Sequence, residues 1–228
     1  MSDIPFQYQS IKDRSRGIYK DRNSKFHAYL LHVKTIDEVE RYLAEMSSHH
    51  PKARHICYAY RLGIDGTPYR INDNGEPSGT AGRPIFNVLL SEGVSDVLGV
   101  VVRYFGGTKL GVPGLIKAYK EATIDAFSQA DIMTVTLTKE VKISYRIEDL
   151  GRIYDILKAR GVNDIKSHFD PSAHVLVKIP LNEIPTIRQA ILADYYGYQI
   201  GDISEDFKSD RLEVEVLEMK NIDKRGNS

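Results

Sequence analysis

The chain has 228 residues, of which 42% are hydrophobic and 27% charged, and its 31 basic residues balance its 31 acidic residues. These values are typical of a globular protein with one large or two ordinary domains. A net charge of zero excludes the strongly basic surface of a general nucleic-acid-binding protein, so any contact with RNA must depend on a local patch. The apolar runs are much shorter than the roughly 20 residues that cross a bilayer, so we expect no membrane partner.

The start of the chain and its single cysteine predict a cytoplasmic protein. The first ten residues, MSDIPFQYQS, have neither the basic region nor the apolar core of a secretory signal. Cys57 has no partner for a disulfide within the chain, as expected of a reducing compartment. Because Cys57 lies among apolar residues of a predicted strand, burial as a small apolar side chain is favoured over a role as a nucleophile.

The predicted elements begin with two strands, 8–11 and 26–33, which are joined by a segment rich in basic residues. The charged residues of that segment are Lys12, Arg14, Arg16, Lys20, Arg22 and Lys25 against Asp13 and Asp21. We interpret the segment as a solvated loop, with a nucleic-acid patch as the alternative. Thr35 and Glu38 then form the pattern of a capping box, which predicts a helix that ends before Pro51.

Further strands and helices complete a first domain. Residue alternation and apolar periodicity predict strands at 54–62, 67–71 and 97–105 and helices at 84–92 and 112–130. This mixture of strands, hairpins and helices favours an α+β fold, with the helices packed on one face of the sheet.

A first glycine-rich loop, DNGEPSGTAGRP at 73–84, has almost no apolar side chain and must lie at the surface. Its glycines let backbone N–H groups point outward at the start of the helix 84–92, beside Arg83, which favours a bound anion. The candidate ligand-binding residues of this loop are Asp73, Asn74, Glu76, Ser78, Gly79, Thr80, Gly82 and Arg83. A tight connection without a ligand, in which the acids pair with nearby cations, is the alternative.

A second glycine-rich loop, GGTKLGVPG at 106–114, lies between the predicted strand 97–105 and the helix 112–130. A P-loop has Lys and Ser or Thr directly after its glycines, and the dinucleotide fingerprint is GxGxxG with an acid downstream. The loop matches neither pattern, so we exclude both kinds of nucleotide site. The candidate ligand-binding residues here are Arg103, Gly106, Gly107 and Lys109. If the two loops adjoin, Arg83 and Arg103 would concentrate positive charge in one pocket.

The two motifs together, DNGEPSGTAGRPI from Asp73 and RYFGGTKLGVPGLIKAY from Arg103, resemble the signature of the IMPACT family, also called the YigZ family. The stretch ARHICYAY from Ala53 is a further match, and the similarity extends over residues 8–217. The resemblance implies a link to translation, because the eukaryotic members regulate translation under amino-acid stress. They do so with an additional N-terminal domain for which this sequence has no counterpart.

The resemblance also implies two domains. The first, at 1–137, would be similar to domain 2 of ribosomal protein S5, and the second, at 138–218, would be ferredoxin-like, followed by a polar tail at 219–228. Periodicity independently predicts a second set of elements after Thr138, in the order strand, helix, strand, strand, helix, strand, which is the ferredoxin-like order. These elements are a strand at 141–145, a helix from about 150 to 161, a hairpin of strands 164–169 and 174–179 turning at Asp170-Pro171-Ser172, a helix at 181–196 and a strand at 211–217.

We interpret the chain as a non-enzymatic binding protein in translation or RNA-related regulation, whose two loops hold RNA or another phosphate-bearing ligand. One alternative is a hydrolase that uses Asp73 and Glu76, with His55 as a proton shuttle and Ser78 or Thr80 as nucleophile. The other is a protein-interaction regulator whose groove takes a peptide. No residues have the spacing of a catalytic triad or a metal site, so we expect no metal and no cofactor. The expected partners are RNA, ribosome-associated factors or another protein.

Overall fold

The structure is a computed structural model that describes residues 6–169, 172–204 and 207–217. The chain divides into two compact units, residues 1–135 and residues 136–228. Both units contain helices and strands, which confirms the predicted α+β class. Within the described residues, none of the helices has the combined length and apolarity that crossing a membrane requires.

The first unit is built on a five-stranded sheet whose neighbouring strands are all antiparallel. Its elements are β1 (Gln7–Ile11), β2 (Ser15–Asp21), β3 (Ser24–His32), α1 (Ile36–His49), β4 (His55–Arg61), β5 (Tyr69–Asn72), α2 (Gly82–Ser91), β6 (Val97–Tyr104), α3 (Gly111–Ser128) and β7 (Ile132–Thr136). The sheet order is β2-β3-β6-β4-β5, and β1 pairs with β7 in a separate two-stranded ribbon.

Helices cover both faces of this sheet, so the prediction that they pack on one face is wrong. Alternate residues of β6 point to opposite sides: Val97 and Val101 join the core formed with α2 and α3, whereas Val100 and Val102 join a second core with Val39 and Met46 of α1. A strand that is buried on both faces has a continuous apolar sequence, as Val97–Tyr104 does. Such a sequence indicates that other elements pack against both faces of the sheet. The capping box of α1 is confirmed, since the Thr35 hydroxyl accepts the N–H of Glu38 and the Glu38 carboxylate accepts that of Thr35.

The basic segment predicted as a solvated loop is largely the edge strand β2, and this too is a correction. The sequence pattern of β2 is a weak strand pattern because it contains Gly17, which lies where α3 packs most closely against β2. A Cβ atom at Gly17 would lie 2.1 Å from the backbone nitrogen of Ala126. The position therefore needs glycine, a residue that sequence patterns associate with turns rather than strands. The strand β7 also lacked a sequence prediction.

The second unit has the predicted order of elements. These are β8 (Thr138–Tyr145), α4 (Leu150–Ala159), β9 (Ile165–His168), β10 (His174–Pro180), α5 (Ile184–Tyr196) and β11 (Leu212–Val216). They form an antiparallel sheet in the order β11-β8-β10-β9. Apolar residues of α4 and α5, such as Ile153 and Ile191, share one buried core with Val177 and Ile143 of the sheet. Residues 170 and 171 of the predicted hairpin turn, and the tail 219–228, lie outside the described residues.

Candidate functional site

The two glycine-rich loops of the first unit meet at a cleft of about 520 Å³. Glu76 and Pro77 of the first loop line it together with Lys109 and Leu110 of the second. The remaining lining comes from the start of β4, the end of β6 and the start of α3, namely Arg54, His55, Arg103, Phe105, Gly111, Val112 and Leu115. We call this feature the loop cleft.

A buried ion pair joins the first loop to the end of β6 at the loop cleft. Nη1 of Arg103 donates to Oε1 of Glu76 at 2.6 Å, and these side chains are only 7% and 4% exposed. The hydroxyl of Tyr119 donates to the same oxygen at 2.9 Å. The guanidinium also lies 5.5 Å from the ring centroids of both Phe26 and Phe105, so aromatic faces hold it in place. The acid of the first loop thus neutralises part of the charge that Arg103 brings.

Cys57 and Tyr119 continue this buried chain of polar groups. The Cys57 thiol contacts both the backbone oxygen of Asp73, at 3.0 Å, and the Tyr119 hydroxyl, at 3.3 Å. Burial, as the largest cause, raises the pKa of Cys57 to about 12 and raises the pKa of Tyr119 as well. Both groups therefore stay protonated at neutral pH, and the predicted burial of Cys57 is confirmed, since its exposed fraction is 0%.

Asp73 closes the first loop onto the start of α2. Its carboxylate accepts the backbone N–H groups of Gly79 at 2.8 Å, Ala81 at 3.0 Å and Gly82 at 2.8 Å. A carboxylate at a helix N-terminus satisfies the unpaired N–H groups and complements the helix dipole. The start of α2, predicted to hold a bound anion, is thus already occupied by an acid of the same loop.

Other polar residues of the first loop form hydrogen bonds that stabilise its conformation. Asn74, at a φ of 42°, accepts the N–H of Ile56 through Oδ1. Its backbone oxygen lies 2.8 Å from Nδ1 of His55, so Nδ1 carries the proton and donates, because a carbonyl oxygen only accepts. The buried Thr80 hydroxyl donates to the backbone oxygen of Pro77 at 2.7 Å. Ser78 and Gly79 lie at the surface. Gly79 has a φ of 77°, and a Cβ atom there would have no other atom of the described residues within 4 Å.

Gly82 and Arg83 lie on the α2 side of the first loop, away from the loop cleft. A Cβ atom on Gly82 would come within 2.7 Å of the backbone nitrogen of Asn72, so this glycine permits the close approach of α2 to β5. The Arg83 side chain is exposed, lies 5.9 Å from the ring centroid of Phe86 and does not line the loop cleft. The predicted pairing of Arg83 with Arg103 in one pocket is therefore wrong.

The second loop differs from the first at its helix end. Gly106 packs against the β2–β3 turn and donates its N–H to the Ser24 hydroxyl at 3.1 Å, whereas Gly107 has an open position at a φ of 88°. The Lys109 side chain is exposed at the edge of the cleft. Among the residues that the structure describes, no side chain caps the N-terminus of α3, and its first two residues, Gly111 and Val112, line the cleft.

The lining of the loop cleft is more basic than acidic. Three cations, Arg54, Arg103 and Lys109, face one carboxylate, Glu76. Among the described residues, no hydrogen bond joins Ser78 or Thr80 to an acid or a histidine, and no group of metal-ligating side chains occurs. Nε of Arg103 is buried without a hydrogen-bond partner in that same set.

Sequence reasoning missed Arg54, Phe105 and the α3 terminus as parts of the cleft. One signal was present for Arg54, because it directly precedes the strand whose first residue, His55, pairs with Arg103 of β6. Since residues opposite each other in a sheet share a face, a correct strand pairing would have placed His55 beside Arg103, with Arg54 in the segment that leads into it. The pairing itself depends on tertiary structure.

Comparisons with known proteins agree with the loop motifs. The family model described as the Impact N-terminal domain matches residues 22–127. The IMPACT family member YvyE of Bacillus subtilis is 33% identical over 151 residues, which are 66% of this chain and 70% of that protein. The IMPACT family member YigZ of Escherichia coli is 31% identical over 176 residues, which are 76% of this chain and 86% of that protein.

A solved structure extends the similarity to both units. The crystal structure of a hypothetical protein matches with a TM-score of 0.69 and 26% sequence identity, covering 95% of this chain and 100% of that chain. Two relatives above 30% identity over most of their own length, together with the matching family model, show that this chain belongs to the IMPACT family.

Proposed function

We propose that this chain is a non-enzymatic binding protein in translation or RNA-related regulation, and that its loop cleft holds an anionic group of RNA or another phosphate-bearing ligand. The observation that carries this proposal is the uncapped N-terminus of α3 beside the unpartnered Nε of the buried Arg103. Both are donors without an acceptor among the described residues. An oxyanion placed between them would satisfy both.

Electrostatics at the α3 terminus favours an anion. An α-helix leaves its first N–H groups unpaired and carries roughly half a positive charge at that end. In α3 these groups belong to Gly111 and Val112, because Pro113 has no N–H. Lys109 and Arg54 add mobile positive charge at the rim of the same cleft. The charge of Glu76 is offset by Arg103, with which it is paired, so the charges of Lys109 and Arg54 remain.

The size and walls of the loop cleft suit a ligand with both an anionic and a flat apolar part. Its volume of about 520 Å³ lies within the range of about 300–1,000 Å³ for small-molecule sites. Phe105 is 50% exposed and Val112 is 51% exposed, so each offers apolar surface at the cleft. An exposed aromatic ring stacks on any nucleobase, at about 1–3 kcal/mol per base.

The connection to translation comes from family membership, because the family includes eukaryotic regulators of translation. On that basis, ribosome-associated factors and RNA are the proposed partners, and a cytoplasmic location is proposed with them. The hydrolase alternative has weaker support. Asp73 is engaged in capping α2 and Glu76 in the buried ion pair, so neither acid is available as a general base next to a hydroxyl.

Binding of short oligoribonucleotides with and without a 5′-phosphate tests this proposal. We expect the phosphorylated probe to bind more tightly, and Lys109→Ala and Arg54→Ala each to weaken it by roughly tenfold, because a hydrogen bond to a charged group contributes about 1.5–3 kcal/mol. Arg83→Ala is the matched control, since it removes the same charge from the surface of the first unit outside the cleft. Equal binding of both probes, or equal losses with the control, would rule out the cleft as the phosphate site.

A further inference from the structure

The sheet face opposite α2 and α3 carries a cluster of rings that the loop cleft does not use. We call this cluster the ring face and define it as His27, Tyr29, His50 and Tyr104. Tyr29 and His27 alternate along β3 with Phe26, Ala28 and Leu30, which belong to the core under α2 and α3. The ring face is therefore on the other side of the sheet, where α1 packs, and it includes the residue that ends the helix, His50.

Hydrogen bonds fix the rings relative to one another. Nε2 of His50 lies 3.0 Å from the hydroxyl of Tyr29, and Nδ1 of the same ring lies 2.8 Å from the hydroxyl of Tyr104. The ring of His27 meets that of Tyr104 edge to face at 5.7 Å and lies 6.4 Å from that of His50. All four side chains are half-buried, so they form a fixed surface that solvent still reaches.

Cations surround the ring face. Residues opposite each other in β2 and β3 share a side of the sheet. The pairs Arg16 with Tyr29 and Lys20 with Lys25 therefore place three exposed cations on the side of the rings. The guanidinium of Arg16 lies 5.7 Å from the ring centroid of Tyr29.

Acidic groups close to the rings are already engaged. A shallow cleft of about 270 Å³ borders the ring face and is lined by Arg16, Ile18, His27 and Tyr29, with Asp125 at its edge. The Asp125 carboxylate accepts the backbone N–H of Ile18 at 2.8 Å. Farther along α1, Glu45 is bonded to Arg14 at 2.8 Å.

Burial and the nearby positive charges lower the pKa values of two histidines of the ring face. Burial is the main cause that lowers the pKa of His27, and the charges of Lys25 and Lys20 lower it further. Burial likewise lowers the pKa of His50, followed by contributions from His27, His49 and Arg16. Both rings are therefore neutral at pH 7, which leaves their faces able to stack on other aromatic groups.

We infer that the ring face is a binding site for single-stranded nucleic acid. Bases would stack on the rings of His27, Tyr29 and Tyr104, and phosphates would be bound by Lys20 and Lys25. Fixed aromatic rings beside a short row of cations are what sequence-independent single-strand binding requires. The segment rich in basic residues that was noted in the sequence, between the first two predicted strands, thus forms the charged border of this surface.

The ring face and the loop cleft are separate sites. Arg103 and Tyr104 are consecutive residues of β6, so their side chains point to opposite faces of the sheet. Arg103 lines the loop cleft, whereas Tyr104 belongs to the ring face. The proposed binding at the ring face therefore does not depend on the proposed function of the loop cleft.

Fluorescence anisotropy of the full chain with labelled oligouridine, oligothymidine and a duplex of equal length tests the inference. We expect both single strands to bind and the duplex to bind at least tenfold more weakly, because its bases are already stacked. Two phosphate contacts, one each from Lys20 and Lys25, predict a slope of about −1.4 in a plot of log affinity against log salt. Single-strand affinity no greater than duplex affinity would overturn the inference.

Two sets of variants locate the binding surface. Lys20→Glu with Lys25→Glu should weaken single-strand binding at least tenfold, whereas Lys117→Glu with Lys120→Glu, on exposed positions of α3, should leave it unchanged. Tyr104→Leu should lose roughly tenfold in affinity if one stacked base is lost. An unchanged affinity after both the Lys20 and Lys25 reversals, or equal tight binding of polyglutamate, would refute a nucleic-acid site here.

Discussion

The two glycine-rich loops have similar sequences but opposite arrangements at their helix ends. The first loop caps α2 with its own acid, because the Asp73 carboxylate accepts three backbone N–H groups. The second loop brings no acid, and within the described part of the chain no side chain caps α3. A helix N-terminus alone therefore does not distinguish a ligand site from a finished turn. The deciding feature is whether the loop supplies an acceptor of its own.

The buried pair between Glu76 and Arg103 connects the first loop to β6, the strand before the second loop, and breaking it should have the largest effect. Removing one partner leaves an uncompensated buried charge, which costs about 3–5 kcal/mol. We expect Arg103→Met alone to lower the free energy of unfolding by about that amount in urea titrations.

A double variant separates the ion pair from the packing of its side chains. Arg103→Met combined with Glu76→Gln removes both charges, so it should recover much of the stability that the single variant loses. If Arg103→Met alone costs less than about 1 kcal/mol, the pair does not hold the first loop to β6 in solution.

Adjacent glycines of the second loop should differ strongly in their tolerance of alanine. A Cβ atom on Gly106 would lie 2.1 Å from the backbone carbon of Asn23, so Gly106→Ala forces the β2–β3 turn to move and should cost about 3 kcal/mol. Gly107 has open space and a φ of 88°, so Gly107→Ala should cost only about 1–2 kcal/mol of backbone strain.

Gly79 of the first loop provides the matched comparison for Gly107. It too is open, at a φ of 77°, so Gly79→Ala should cost about the same 1–2 kcal/mol. Thermal or urea unfolding of the three variants measures the order. Equal losses at Gly106 and Gly107 would contradict the close contact with Asn23.

Sequence reasoning predicted the types of element well and their surroundings less well. The capping box at Thr35 and the apolar run of β6 are local signals, and both predictions hold. The strand β2 and the role of Asp73 depend on distant contacts: Gly17 meets α3, and Asp73 binds residues six to nine positions later. Local patterns do not contain that information.

The same limit applies to the charges of the candidate site. Sequence reasoning grouped Arg83 with Arg103 because each adjoins a glycine-rich loop, but only Arg103 lines the loop cleft, whereas Arg83 lies against Phe86 of α2. The independent folding of the second domain stays a prediction. A fragment of residues 140–218 should unfold cooperatively, and a fragment without such a transition would count against it.

Removing the cap of the first loop should have a moderate effect on stability. Asp73→Asn places an amide nitrogen where one carboxylate oxygen now accepts an N–H, so we expect a loss of about 2 kcal/mol in the free energy of unfolding. Asp65→Asn is the control, because Asp65 is an exposed turn acid that bonds only Thr67 among the described residues. A change at Asp73 no larger than the control would show that α2 does not need this cap.

The smallest expected effect on stability concerns Cys57. The rate at which its thiol reacts is a sensitive measure of whether the first loop stays closed. Its thiol contacts the backbone oxygen of Asp73, and burial raises its pKa from 9.0 to about 12. Because only the thiolate reacts, alkylation by iodoacetamide at pH 8 should be roughly a thousandfold slower than for an exposed thiol. Asp73→Asn should speed this reaction by loosening the loop, whereas Lys109→Ala in the second loop should leave it unchanged. Rapid labelling of the parent protein would mean that the first loop opens on its own, and the contrast between the two loops would then fail.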